Sequence, residues 1–260
     1  MNKFLLKVLV LASVNIAVFA DAQFRTRNRM DKLEDFDQQV FSWGFYLNGN
    51  MLDYRIVLHP RYGMAGNQNL VTSKESFSFG AGLIGKWRLN DYLDLRVEPG
   101  LQFAQRQLTF NTQWNDQYAA GSLTNPPFTP IPLTENDKVR DIKSTLVDVP
   151  VLLELHGERW YNSRPYVAAG VNYVVNLQSN SGSEDDNLQQ VFRSTTHNFA
   201  WSAEMGIQFY FNKFKLTPAI RGTFFMNNEK VADNATTPPY WSSAISTIQT
   251  RAVMFVLKFE

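Results

Sequence analysis

Between Ser76 and Phe110 the side chains alternate with a period of two. Phe77, Phe79, Ala81, Leu83, Gly85, Trp87 and Leu89 are apolar or small, and Lys86 and Arg88 lie between them. After Asn90 and Asp91 the alternation resumes with Leu93, Leu95, Val97, Leu101 and Phe103 against Asp94, Arg96, Glu98, Gln102 and Arg106. A period of two predicts strands with one apolar and one polar face. A three-residue turn, Asn90-Asp91-Tyr92, joins these two as a hairpin and sets Arg88 opposite Asp94.

The same texture recurs along the chain. Phe41 to Leu58 predicts a first strand with Phe41, Trp43, Phe45 and Leu47 on its apolar face. The apolar set then changes parity to Leu52, Tyr54, Ile56 and Leu58, which predicts a bulge at Asn48-Gly49-Asn50 with Asp53 and Arg55 kept on the polar face. A fourth strand runs from about Asp141 to Leu155, a fifth from Arg164 to Leu177 and a sixth from His197 to Phe211. The turn Asn212-Lys213 leads into a seventh strand, from Phe214 to Met226. Placing Phe211 opposite Phe214 puts Glu204 across from Arg221 on the polar face. An eighth strand carries Val253, Phe255, Leu257 and Phe259.

The connections alternate in length. Asn90–Tyr92, Gly157–Ser163 and Asn212–Lys213 are short, whereas His59–Lys74, Asn111–Arg140, Gln178–Arg193 and Asn227–Ser246 are long. A soluble sandwich has no reason to sort its loops this way. The expected fold is all-β: an eight-stranded antiparallel transmembrane β-barrel with short periplasmic turns and long extracellular loops. Trp87, Tyr92, Trp160, Tyr161, Tyr210, Phe211, Phe214 and Phe259 gather at the short-turn end, where a periplasmic aromatic girdle belongs. The polar faces become the lumen, which side chains fill in so narrow a barrel. Its charge network is expected to include Asp94, Arg96, Glu98, Arg106, Asp148, Glu154, Glu204 and Arg221. Pro99, Pro150, Pro165 and Pro218 fit poorly inside a closed sheet, and bulges or strand ends are expected there.

The N-terminus is consistent with export. Lys3 and Lys7 precede an apolar run from Val8 to Phe19, and Ala20-Asp21-Ala22 offers a cleavage site. Three segments are therefore expected: a cleaved signal peptide over 1–22, a periplasmic leader over 23–40 and the barrel over 41–260. The leader reads as a solvated stretch, the alternative being an arm for a partner. The destination is the outer membrane of a Gram-negative bacterium, with its lipid as first partner.

Composition narrows the chemistry. The 260 residues carry a net charge of +1, with 20 Phe, 10 Tyr, 6 Trp and no Cys. Near-neutrality argues against a nucleic-acid partner, and the lack of cysteine excludes disulfides and thiol chemistry. No phosphate loop or metal-ligand spacing appears, so no cofactor, metal or small-molecule substrate is expected. Glu184, Asp185 and Asp186 read as solvated loop acids, the alternative being a cation site. His59 and His197 fall on strands that are not neighbours in an eight-membered ring, and His156 lies at the far end, so no catalytic residues are assigned and no enzyme is expected.

Several stretches carry a family resemblance. They are Trp43-Gly44-Phe45 through Asp53-Tyr54-Arg55-Ile56, the hairpin above, and Asp148-Val149-Pro150-Val151-Leu152-Leu153 followed by Arg164-Pro165-Tyr166-Val167-Ala168-Ala169-Gly170. Together they resemble the PorT/SprT family, outer-membrane barrels of the type IX secretion system that are also tied to gliding motility. The resemblance covers nearly all of the mature chain and lies in strand texture. It implies a non-enzymatic part in the export of signal-bearing proteins, with other secretion-system proteins as partners. A stand-alone barrel for adhesion or limited transport is the alternative, and a barrel enzyme comes third.

Overall fold

Alternation governs nearly every strand, and its consequence is a closed ring. The computed structural model describes residues 32–60, 71–111 and 133–260. The expected signal peptide over 1–22, residues 23–31 of the expected leader and the proline-rich patch of the longest loop lie outside the described residues. Nine strands form a single sheet. They are β1 (Phe41–Leu58), β2 (Val71–Arg88), β3 (Leu93–Val97), β4 (Gly100–Phe110), β5 (Val139–His156), β6 (Ser163–Asn176), β7 (His197–Tyr210), β8 (Lys215–Phe225) and β9 (Ile245–Phe259). All pairings are antiparallel, and β1 bonds to both β2 and β9, so the sheet has no edge.

The ring has eight staves, because β3 and β4 share one. Both pair with β2 on one side and β5 on the other, in a single register against β5. Prolines cause the interruption. Glu98 N–H donates to Pro150 O at 3.1 Å, and Pro150 has no N–H with which to return the bond. Pro99 accepts from Leu83 N–H at 2.9 Å and likewise donates nothing. The two losses fall on opposite sides of this stave, one in its ladder with β2 and one in its ladder with β5. Pro165 lies near the start of β6, and at Pro218 the β7–β8 ladder skips from Gly206↔Ala219 to Phe209↔Leu216.

The predicted turns and registers are present: Arg88 opposes Asp94, and Glu204 opposes Arg221. The predicted bulge in β1 is not. β1 pairs with β2 in unbroken register from Phe41↔Trp87 to Leu52↔Ser76. Leu52 and Tyr54 are buried inside the ring, while Arg55 points outward and Asp53 is half-buried on that outer side. The switch in hydrophobicity follows the surroundings and not the backbone. Below Asn50 the outside is apolar and the inside polar; above it the inside is packed by loops. The bulge in this region lies on β2, where the register against β4 shifts between Glu75 and Gly80.

The burial pattern is the reverse of a soluble sheet. Arg96, Arg106, Arg221, Lys215 and Lys258 are among the largest fully buried side chains. Trp43 is 75% exposed and Phe77 76% exposed. An apolar belt of this extent requires lipid around it.

Candidate functional site

The interior is built from the inward parity of every strand. At its centre four cations meet four side-chain carboxylates: Arg96, Lys215, Arg221 and Lys258 against Glu98, Glu154, Glu204 and Glu260. Arg221 Nε donates to Glu204 at 2.7 Å, and its guanidinium also reaches Glu98. Lys258 Nζ lies 2.7 Å from Glu98 and pairs with Glu204 as well. Arg96 bridges Glu98 at 3.2 Å and Glu260 at 3.1 Å, and pairs with Glu154. Tyr166 donates its hydroxyl proton to Glu204 at 2.6 Å, and Gln208 donates to Glu154 at 2.6 Å. Buried charge is tolerated when it is paired, and this network gives every ion a counter-ion, although Lys215 Nζ, Arg221 Nη1 and both Glu260 carboxyl oxygens make no well-formed hydrogen bond.

Room for the network comes from missing side chains. A Cβ on Gly100 would meet the Tyr46 hydroxyl at 2.1 Å, and one on Gly82 would meet the Tyr46 ring at 2.5 Å. Tyr46 therefore lies flat against two glycine positions, and its hydroxyl donates towards Glu98 O at 3.4 Å.

Of the residues the sequence pointed to, Arg96, Glu98, Glu154, Glu204 and Arg221 come together in this central cluster. The other three are buried but separate. Asp94 forms its own group nearer the short-turn end, 3.3 Å from Lys86 and 3.2 Å from His156 Nε2. Asp148 accepts from Asn172 at 2.9 Å, and Ser202 donates to Asn172 Oδ1 at 2.8 Å. Arg106 donates to Thr250 at 2.7 Å and Ser144 at 2.9 Å, with its guanidinium 4.0 Å from the Tyr54 ring centre. Glu260 and Glu229 were missed: one follows the last alternating residue and the other lies in a loop.

Both ends are covered. At the long-loop end Tyr240 and Trp241 are buried with Tyr54, Leu108, Phe110, Ile142, Ile245 and Ile248. Trp241 Nε1 donates to Asp137 O at 2.8 Å, from the short helix α1 (Glu135–Lys138). Asp186 is not a solvated loop acid. It accepts from Asn234 N–H at 2.8 Å and from the Thr237 hydroxyl, locking two loops together, while Asn187 donates to Asp233 at 2.8 Å. Hydrogen bonds from Thr134 hold the Asp137 carboxyl below the usual carboxylate range. Burial pushes the Glu229 carboxyl up, against the opposing pull of Arg106 and Thr250. Among the described residues no group of three or more His, Asp or Glu could hold a metal ion.

At the short-turn end part of the leader covers the mouth. Glu34–Gln38 is a 3-10 turn, which differs from a solvated stretch. Its Asp37 accepts from the Tyr210 hydroxyl at 2.8 Å. Tyr210 is thus a correction to the predicted girdle: at 2% exposed it faces the lumen, as its even number on β7 requires. Trp87, Tyr92, Trp160, Tyr161, Phe211 and Phe214 do face outward, and Phe259 is half-buried against Phe45 with ring centres 5.0 Å apart. His59 and His197 stand at the loop ends of β1 and β7, with β8 and β9 between them. His197 Nδ1 is 2.7 Å from the Tyr173 hydroxyl.

No curated protein matches the chain. Among solved structures it is similar to Neisserial surface protein A at 11% identity, covering 85% of this chain and 98% of that one with a TM-score of 0.36. It is also similar to the attachment invasion locus protein Ail of Yersinia pestis, solved with the heparin analogue sucrose octasulfate, at 8% identity, 85% and 99% coverage and a TM-score of 0.36. A third is OprG from Pseudomonas aeruginosa, at 13% identity, 85% and 95% coverage and a TM-score of 0.36. Likeness this distant carries no argument about function. Residues 21–230 match the family model described as outer membrane protein beta-barrel domain. On that match the chain belongs to the outer membrane protein beta-barrel domain family, and its membrane is the outer membrane of a Gram-negative bacterium.

Proposed function

We propose that this barrel is a non-enzymatic component of the type IX protein secretion system, required for export of signal-bearing cargo, with gliding motility a second process depending on it. The reading starts from the resemblance to the PorT/SprT family. One observation supports an accessory part over a conduit: Glu98 and Arg221, on opposite staves, pair across the lumen. A lumen crossed by fixed ion pairs passes no folded cargo, so the protein acts through its ends and its outer wall. Its partners are then the surrounding lipid and other secretion-system proteins. Clean deletion of the gene tests the reading. Cargo bearing the secretion signal is expected to accumulate in the periplasm, with export restored by complementation; unchanged export would refute it.

A second reading has its own support. The loops joined by Asp186, Asn234 and Thr237 make an ordered outer surface, which suits a stand-alone barrel for adhesion. Unchanged export with reduced attachment of the deletion strain to surfaces would favour that reading.

A further inference from the structure

The periplasmic mouth holds a binding site that the barrel builds without the leader. Arg159, in the β5–β6 turn, donates from Nε to Tyr161 O at 2.9 Å and stacks its guanidinium 3.8 Å from the Tyr210 ring centre. Arg164, at the start of β6, donates to Gly157 O at 2.8 Å and to Asp91 O at 2.9 Å. Both guanidinium groups are therefore fixed by backbone carbonyls of the periplasmic turns. Their remaining edges converge on one carboxylate, that of Asp37, at 3.5 Å and 3.7 Å. Tyr210 adds its hydroxyl to the same carboxylate. Beside this clamp the Phe36 ring lies 5.0 Å from Lys215 Nζ and 5.8 Å from Lys86 Nζ.

Every barrel group that the leader side chains touch has a second partner. Gln208 Oε1, 3.1 Å from the Tyr210 hydroxyl, is a second acceptor for its single proton, Lys215 pairs with Glu260 at 2.6 Å and Lys86 pairs with Asp94 at 3.3 Å. Lifting the leader away orphans none of them. The leader is also shallowly held: no described side chain from Leu33 to Gln38 is buried, and its ion pairs are longer than those of the lumen. A site pre-organised without its occupant, and an unburied occupant held by a few hydrogen bonds from Tyr210 and Arg159 and two long ion pairs, describe an exchangeable pair.

We propose that Arg159, Arg164 and Tyr210, with Lys86 and Lys215 behind them, form a periplasmic receptor for a segment bearing an aromatic residue followed by a carboxylate. Phe36-Asp37 of the leader occupies it in cis, and a periplasmic protein carrying the same chemistry displaces the leader. Paired guanidinium groups select the carboxylate, and the two ammonium groups face the electron-rich ring. The inference does not depend on the secretion reading, because it concerns what the mouth binds and not which machine uses it.

The test uses the full chain refolded in detergent micelles and a fluorescent peptide with the sequence of residues 33–40. A leader tethered this close competes at about millimolar effective concentration. Fluorescence anisotropy is expected to show at least tenfold tighter peptide binding to the Phe36→Ala, Asp37→Ala double variant than to the wild type. Adding Arg159→Ala and Arg164→Ala to that variant is expected to abolish binding, and a peptide with Asp replaced by Asn is expected to bind at least tenfold more weakly. Heat-modifiable migration verifies that each variant is folded. The single variant Asp37→Asn, expected to show intermediate affinity, serves if the double variant does not refold. Equal binding to folded wild type and released variants, or binding indifferent to the two arginines, overturns the proposal.

Discussion

Glu98 and Arg221 face each other across the full width of the lumen. Glu98 stands at the β3–β4 interruption and Arg221 on β8, which lies four staves away in an eight-stave ring. Lys258 from β9 reaches the same carboxylate. The pairs close the interior at mid-height, and the loop cap and leader turn close it again at either end. The protein inserted into a planar bilayer is expected to show no stable ohmic level. A steady conductance in the wild type would contradict the closed lumen.

Glu204 is the second acid on Arg221, and it also holds Lys258. Removing it alone leaves Arg221 and Lys258 to share Glu98 with Arg96, which is expected to destabilise the barrel by about 3–5 kcal/mol. The double variant Glu204→Ala, Arg221→Ala leaves Glu98 with Lys258 and Arg96 and removes one charge of each sign. Its loss is expected to fall short of the summed single losses by about 0.5–3 kcal/mol. Urea unfolding in micelles measures all three variants; strictly additive losses would mean that the pair carries no coupling.

Val171 is 57% exposed on β6, in the middle of the apolar belt. Val171→Arg is expected to cost about 2–4 kcal/mol and to lower the heat-modifiable, membrane-inserted fraction. Val57→Arg provides the contrast. Val57 also points outward, but it lies on β1 beyond Asp53 and Arg55, where the belt has given way to polar side chains, and a charge near the interface costs about 0–1 kcal/mol. Equal insertion of the two variants would place the membrane boundary elsewhere.

The strands were legible because alternation is strict wherever one face meets lipid and the other a charged lumen. The same rule misled at β1. Leu52 and Tyr54 read as a change of parity, yet their faces never change; lipid outside gives way to water, and lumen charge gives way to the loop core around Trp241. Local pattern records the polarity of the surroundings, and a bulge and a change of surroundings look alike in it. Tyr210 misled differently, since an aromatic residue at a strand end fits either an outer girdle or an inner wall until its parity is counted. The central ion pairs were legible only where a tight turn set the register, as for Glu204 and Arg221. Glu98 with Arg221 joins residues far apart in sequence, and only closure of the ring brings them together. The leader turn and the loop cap have no period to read, so Asp37 and Asp186 appeared as solvated acids.

Glu229 gives the extracellular end a pH dependence whose sign follows from its environment. Its carboxyl accepts from Thr250 N–H and, at 3.0 Å, from the Thr250 hydroxyl, yet burial raises its pKa above the ordinary 4.5. Between that ordinary value and the raised one, the folded chain holds a proton that the unfolded chain has released. Stability contributed by this group is therefore greatest at low pH and falls as pH rises through the window. Glu229→Gln keeps an acceptor for Thr250 N–H and removes the titration. The wild-type urea midpoint, corrected for the slope of the variant, is expected to fall as pH rises above about 4.5. Parallel profiles for wild type and Glu229→Gln would show that the buried carboxyl does not set this dependence.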